Sequence, residues 1–123
     1  MLASTAGMFA GIARLLDPNR KMSYSQEGED MVLSRFMEGR QAGFYVDVGA
    51  HHPIRFSNTF MFYERGWRGV NIEPSPNAID KFQRARARDT NVALGVGETS
   101  GELIYYMFND PALNTFDKTL MQE

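Results

Sequence analysis

The chain has 123 residues, of which 43% are hydrophobic and 23% charged, a balance typical of one soluble globular domain. The formal net charge of −2 provides no broad basic field, so we do not expect nucleic acid as a partner. The absence of cysteine excludes disulfides and thiolate metal sites and is compatible with the cytoplasm, where we expect the protein. No segment approaches the roughly 20 apolar residues that a membrane span needs.

The first predicted element is a short amphipathic helix, because apolar residues recur at helical spacing over residues 1–16. Its basic residues are too sparse to favour a membrane surface. Pro18 ends the helix, since proline disfavours a helical conformation in the residue before it. We therefore treat residues 1–22 as an N-terminal helix and linker, and residues 23–123 as one domain.

Helices and strands are then predicted to alternate, which favours a parallel sheet whose last two strands form an edge hairpin. Ser25 is the candidate N-cap of the first helix, and Ser57 or Asn58 that of the next. Gly66 directly follows the second helix, at the position where glycine commonly ends a helix. Ser75 is the candidate N-cap of the third helix, since it precedes a proline at the first helical position. The predicted elements are helix 26–38, strand 43–48, helix 57–65, strand 68–73, helix 76–86, strand 92–96, turn 97–101, strand 102–108 and a polar tail over 109–123.

Two of these strands end in an acid. Asp47 and Gly49 close the first strand within Tyr45–Pro53, and Glu73 closes the second within Val70–Pro74. The spacing between them leaves room for one turn, one helix and one more strand, which is the length of a βαβ unit that holds a nucleotide-like ligand.

Each of these residues has a functional and a structural interpretation. Gly49 lets the backbone approach a ligand and Asp47 can accept its hydrogen bonds, or the pair serves a tight turn and a helix cap. Glu73 can accept hydrogen bonds from both hydroxyls of a ribose, or it is an exposed acid before a turn. His51 is bulky at the second glycine position of a dinucleotide motif and Pro53 lacks an N–H, so a ligand without a pyrophosphate is favoured.

The other polar clusters are less specific. Gln26 and Asp30 open a helix, either over the pocket or simply at the favourable end of the helix dipole. His51 could contact a cofactor or act as a base, or be a loop histidine bonded to backbone. Its neighbour His52 makes no convincing metal pair with it, because adjacent side chains diverge and no third ligand is suitably spaced.

Two further segments are interpreted structurally. The basic run over residues 84–88 is predicted to be a solvated helix end. Tyr105, Tyr106 and Phe108 are predicted to form the core and edge of a strand rather than a stacking platform.

Several ordered motifs together resemble the FkbM-type methyltransferases, and the resemblance extends from about Ser23 to Asp117. Their order and spacing make this resemblance much more specific than a single glycine loop. The motifs are Ser23–Asp30, Phe44–Pro53, Ser57–Thr59, Gly66–Pro76, Gly101–Leu103 and Ala112–Asp117.

The resemblance implies a Rossmann-like α/β fold of class I methyltransferases, with S-adenosylmethionine as cofactor and a hydroxyl of a sugar or secondary metabolite as acceptor. Asp47 and Gly49 match the first cofactor motif and Glu73 the ribose-binding acid. The full set of cofactor-binding candidates is Asp47, Gly49, Ala50, His51, Glu73, Pro74 and Gln26. Asp30 and His51 are the candidate bases, and no residue can be singled out between them.

The chain is short for this fold, since a complete sheet has about seven strands and three to four are predicted here. The resemblance therefore implies that residues 23–123 are the amino-terminal part of a methyltransferase domain. An incomplete sheet has an unpaired edge, which favours self-association. Two alternatives remain open, namely a non-catalytic binding or assembly module and, less favoured, a dinucleotide-binding oxidoreductase domain.

Overall fold

The computed structural model describes residues 16–110 and 113–119, and the predicted N-terminal helix lies almost entirely outside them. In these ranges helices and strands alternate, as the sequence predicts. The elements are α1 (Glu29–Phe36), β1 (Phe44–Val48), α2 (Phe60–Glu64), β2 (Arg68–Ile72), α3 (Pro76–Ala85) and β3 (Thr90–Val92). None of the helices described is long and apolar enough to cross a membrane.

The three strands form one parallel sheet in the order β1-β2-β3. Tyr45 lies opposite Gly69, and Asp47 lies opposite Asn71. The predicted α/β architecture with a parallel sheet is confirmed. Because the strands are parallel, the ends of β1 and β2 meet at one edge, where open α/β sheets bind ligands.

The predicted ends of α2 and α3 are largely correct. Ser75 is the N-cap of α3, with Pro76 in the first helical turn, and Gly66 adopts a φ of 95° just after α2. The N-cap of α2 is Thr59 rather than the predicted Ser57 or Asn58. Even so, the Ser57 hydroxyl accepts the backbone N–H groups of Thr59 and Phe60 at 3.3 and 3.1 Å, so it satisfies the start of the helix from two residues before the N-cap.

The prediction for α1 is wrong at both ends. The helix ends at Phe36, and its N-cap is Gly28, whose φ of 87° keeps the preceding residues out of the helix. Ser25 is therefore not the N-cap. Its hydroxyl instead exchanges hydrogen bonds with Asp30, accepting the backbone N–H at 3.2 Å and donating to the carboxylate at 2.8 Å.

The predicted edge hairpin is also wrong. β3 ends at Val92, and the segment predicted as a fourth strand makes only an isolated antiparallel bridge between Tyr106 and Thr115. After β3 the chain packs closely against an aromatic side chain, since an added Cβ at Gly95 would lie 2.7 Å from the ring of Phe116. Tyr105 contacts the same ring, so the two segments meet through this side chain rather than through paired strands.

The two faces of the sheet differ in their environment. One face carries Asn71, which is fully buried, and packs under α2 and α3, where Met61 and Phe82 are buried. The opposite face exposes a row of apolar side chains on β1, with Phe44 64% exposed and Val46 and Val48 each 58% exposed. No other described strand pairs with the free edge of β1.

Gly43 provides a test of the packing at the start of β1. An added Cβ there would lie 2.3 Å from the buried ring of Trp67, so we expect Gly43→Ala to destabilise the fold by about 1–3 kcal/mol. Denaturant unfolding followed by the fluorescence of Trp67, the chain's single tryptophan, measures this directly. Gly101→Ala is the matched control, because no atom lies within 4 Å of an added Cβ at that position. Equal stability of the two variants would contradict the packing.

Candidate functional site

A cavity of about 1060 Å³ opens at the carboxyl ends of β1 and β2. Its lining comes from the turn after β1, the start of α3 and the segment that follows β3. The lining includes Gln26, Gly49, His51, His52, Arg55, Phe56, Glu73, Pro74, Ser75, Lys81, Gly95, Tyr105, Phe108 and Phe116.

The turn after β1 is fixed by backbone conformation. Gly49 has a φ of 71°, and an added Cβ would meet no atom within 4 Å, so glycine is required there for its conformation rather than for space. The N–H groups of Gly49 and Ala50 both donate to the carbonyl oxygen of Ile72, at 2.9 and 3.2 Å. Ala50 is buried beneath the turn and lies outside the cavity lining.

Glu73 stands at the end of β2 with only 6% of its surface exposed, and it lines the cavity. One carboxylate oxygen accepts the backbone N–H of His51 and the other accepts that of Ser75, both at 3.0 Å. These two bonds hold the carboxylate between the turn and the N-cap of α3. Since each carboxylate oxygen can accept more than one hydrogen bond, the group keeps acceptor capacity for a ligand.

Asp47 lies behind this turn. Its carboxylate accepts the hydroxyl of Thr59 at 2.7 Å, and its side chain is half-buried and lies outside the cavity lining. Asp47 is therefore joined to the start of α2, which agrees with the structural interpretation of this acid.

The other predicted site residues separate into two groups. Gln26 and Pro74 line the cavity, whereas Asp30 is fully buried outside it. The Asp30 carboxylate accepts the hydroxyl of Ser23 at 2.6 Å and the backbone N–H of Tyr24 at 2.7 Å. Burial alone would raise the pKa of Asp30, but these bonds and those from the adjacent serine together lower it.

The paired histidines have different surroundings, although both line the cavity. His51 has a φ of 58°, which is uncommon for a non-glycine residue. The Nδ1 atom of His52 accepts the backbone N–H groups of Ile54 and Arg55, at 3.1 and 3.0 Å. Burial lowers the pKa of His52, and the nearby charge of Lys81 lowers it further. Both effects favour the neutral imidazole, and since Nδ1 is an acceptor, this neutral form carries its proton on Nε2.

The segment after β3 supplies a cavity wall that the sequence did not reveal. Tyr105 and Phe116 contact each other with ring centroids 4.8 Å apart, and both line the cavity, as does Phe108. Burial raises the pKa of Tyr105, and the Glu73 carboxylate raises it further. The prediction that Tyr105 and Phe108 belong to a strand is wrong. Their aromatic character is the signal that could have indicated a ligand wall.

A buried network beneath the turn was also missed. The basic run over residues 84–88 was predicted to be solvated, yet Arg86 is fully buried and forms an ion pair with Asp89 at 3.0 Å. Arg88 instead places its guanidinium 4.0 Å from the ring centroid of Tyr63. Three arginines at alternate positions look alike in sequence, and only the surrounding fold distinguishes the buried one.

Residues 47–121 match the family model described as the Methyltransferase FkbM domain. The chain belongs to this family. The resemblance drawn from the ordered motifs is thereby confirmed. The matched part of the FkbM domain contains Asp47, the Gly49 turn, Glu73 and the aromatic wall, whereas Gln26 and Asp30 precede it. Neither the curated proteins nor the solved structures gave a significant match to the chain.

His52 predicts how the stability of this FkbM domain depends on pH. Folding lowers the pKa of His52 from its unfolded value near 6.5, so neutral His52 contributes to the free energy of unfolding. This contribution is complete above about pH 6.5 and is lost as the pH falls through the pKa of His52 in the folded protein. The wild-type melting temperature should therefore fall from about pH 7.5 to about pH 5.

His52→Asn is the matched variant for this pH experiment, since an asparagine oxygen can accept the N–H of Ile54 two residues on and does not titrate. We expect a smaller fall in its melting temperature over the same range. Parallel curves for the two proteins would contradict the assignment to His52.

Proposed function

We propose that this chain binds S-adenosylmethionine in the cavity and forms all or part of an O-methyltransferase that acts on a hydroxyl of a small molecule. The observation that carries the proposal is Glu73, a buried carboxylate at the carboxyl end of β2 that faces a cavity of suitable size in a chain of the FkbM family. A carboxylate at this position suits the two adjacent hydroxyls of a ribose.

The contacts of Glu73 support a ribose as its partner. The backbone N–H groups of His51 and Ser75 fix both carboxylate oxygens, so the group is oriented before a ligand arrives. In this proposal each oxygen uses its remaining acceptor capacity for one ribose hydroxyl. Pro74 and Gln26 line the cavity beside this position and would contact the same end of the cofactor.

The remaining parts of the cofactor have suitable surroundings as well. The Gly49 turn would receive the methionine end, with Asp47 and Ala50 supporting the turn from behind. The rings of Tyr105 and Phe116 provide an apolar wall suited to the flat adenine base.

Arg55 and Lys81 also line the cavity, and no carboxylate in the described part of the chain lies within ion-pair distance of either. These two cations suit the carboxylate of the cofactor or an anionic group on the acceptor.

When bound, S-adenosylmethionine supplies a methyl group from its sulfonium to the acceptor hydroxyl. The protein's contribution is to hold the acceptor oxygen in line and to take up its proton. Of the two candidate bases, His51 lines the cavity and Asp30 is buried elsewhere, so we assign the proton acceptor to the His51 imidazole.

A second function follows from the uncovered face of the sheet. The apolar row on β1 and its free edge suit an assembly module that pairs with a second copy of the chain or with another polypeptide. Light scattering on the purified chain tests this, because a monomer at every concentration would argue against self-association.

Glu73→Gln tests the cofactor proposal. The substitution removes the negative charge and replaces one acceptor oxygen by an N–H donor that cannot accept a bond from backbone. We expect the affinity for S-adenosylhomocysteine, measured by titration calorimetry, to fall at least about tenfold, equivalent to about 1.4 kcal/mol. Asp80→Asn is the control, since Asp80 is exposed on α3 outside the cavity lining and its loss should leave affinity unchanged.

The same titration separates the alternatives. Binding of S-adenosylhomocysteine that is unaffected by Glu73→Gln would overturn the ribose assignment. Binding of a nicotinamide dinucleotide in its place would revive the oxidoreductase interpretation. No binding by a folded wild-type chain would leave the assembly module as the function to pursue.

A further inference from the structure

The loop of residues 50–59, here called the pocket loop, connects β1 to α2 and forms one side of the cavity. It contributes the side chains of His51, His52, Arg55 and Phe56 to the lining. A ligand in the cavity would therefore contact a segment that has no regular secondary structure over most of its length. Its conformation must be maintained by contacts from elsewhere in the fold.

The pocket loop has an unfavourable backbone conformation at two places. His51 has a φ of 58° and Phe56 a φ of 60°, both in the left-handed region that side chains with a Cβ rarely adopt. Both residues line the cavity. Such conformations persist only where surrounding contacts hold them, and they concentrate at ligand sites.

Three of the contacts that hold this loop come from one side chain. The Nη1 atom of Arg86 donates to the carbonyl oxygen of Pro53 at 3.0 Å and to the hydroxyl of Ser57 at 3.3 Å. Its Nη2 atom donates to the hydroxyl of Thr59 at 2.8 Å. One guanidinium therefore binds the pocket loop at three points between Pro53 and Thr59.

The same guanidinium is fixed to the sheet on its other side. Its Nε atom donates to Asp89 at 3.0 Å, and Nη2 also donates to the Tyr45 hydroxyl at 2.9 Å and to the Asn71 side-chain oxygen at 3.2 Å. Asp89 in turn accepts the Tyr45 hydroxyl at 2.6 Å. Arg86 has no exposed surface, so water cannot replace these bonds.

Thr59 carries the connection one step further, to the end of β1. Its hydroxyl accepts from Arg86 and donates to the carboxylate of Asp47 at 2.7 Å. Asp47 lies two residues before Gly49, where the backbone turns into the cavity. A continuous path of hydrogen bonds thus runs from Arg86, the C-cap of α3, through Thr59 to Asp47 near the end of β1.

We infer that Arg86 is a positioning residue that holds the pocket loop in its ligand-binding conformation. It touches no ligand itself and acts through Pro53, Ser57 and Thr59. The identity of the ligand as S-adenosylmethionine rests on the proposed function. The hydrogen bonds from Arg86 to the pocket loop are present without any ligand. Lysine could not replace Arg86, because a single ammonium cannot reach loop and sheet acceptors with fixed planar geometry.

Two hydroxyl deletions separate this role from general stability. Thr59→Val and Tyr45→Phe each remove one hydroxyl bonded to the Nη2 atom of Arg86, at 2.8 and 2.9 Å. Each of these hydroxyls also donates to one carboxylate, Asp47 for Thr59 and Asp89 for Tyr45, so the two variants lose the same kinds of bond. The first hydroxyl lies on the pocket loop and the second on the sheet. Two measurements are made on both variants, the affinity for S-adenosylhomocysteine and the hydrogen exchange of the pocket-loop amides without ligand.

We expect Thr59→Val to weaken binding about tenfold and to speed exchange throughout residues 50–59. Tyr45→Phe should change affinity less than about threefold and leave exchange in the loop at the wild-type rate, even where both variants lose similar thermal stability. Equal effects of the two substitutions on loop exchange, or no effect of Thr59→Val, would overturn the positioning role.

Arg86→Lys is the direct variant and should speed loop exchange while retaining the charge. If it does not fold, the two hydroxyl deletions decide the question. A wild-type chain that binds no S-adenosylhomocysteine would refute the cofactor proposal alone, and in that case loop exchange in Thr59→Val still supports or overturns the hold of Arg86 on the loop.

Discussion

The ion pair between Arg86 and Asp89 is the interaction on which the rest of the site depends. Neither side chain has exposed surface, so both charges are removed from water and must be satisfied by each other and by polar neighbours. Loss of one partner from such a pair costs about 3–5 kcal/mol, because the other charge is left buried and alone. The pair sits between sheet, helix and pocket loop, and its geometry therefore fixes how these three parts meet.

Space for this network comes from a glycine in the sheet. Gly69 lies opposite Tyr45 in the strand register, and an added Cβ at that position would lie 2.0 Å from the tyrosine ring. The ring can therefore lie across β2, with its hydroxyl 2.6 Å from Asp89. Burial raises the pKa of Tyr45, and the adjacent Asp89 carboxylate raises it further, so the hydroxyl keeps its proton as a donor. The same register aligns the ends of β1 and β2, where the turn and Glu73 meet.

Local sequence signals predicted the parts of the fold that depend on local physics. Three such signals act through the local backbone: a strand that ends in an acid, a serine before a proline, and a glycine after a helix. As a result, β1, β2 and α3 lie close to the residues predicted for them. The parts that failed depend on distant contacts. Apolar, aromatic residues after Gly101 have strand propensity, but in the fold they form one isolated bridge and a ring contact between Tyr105 and Phe116. The burial of Arg86 likewise depends on acceptors from the pocket loop, β1 and β2, which are all distant from it in the sequence.

The position of Arg86 along the chain has a consequence for the order of folding. Its three contacts with the pocket loop span 33, 29 and 27 residues, so the loop is anchored by a residue that is synthesised well after it. Contacts of this length form late, because the intervening chain must first be ordered. During synthesis the strand and turn before the loop can emerge while its anchor is still missing. The pocket loop therefore gains this anchor only once Arg86, at the end of α3, has left the ribosome.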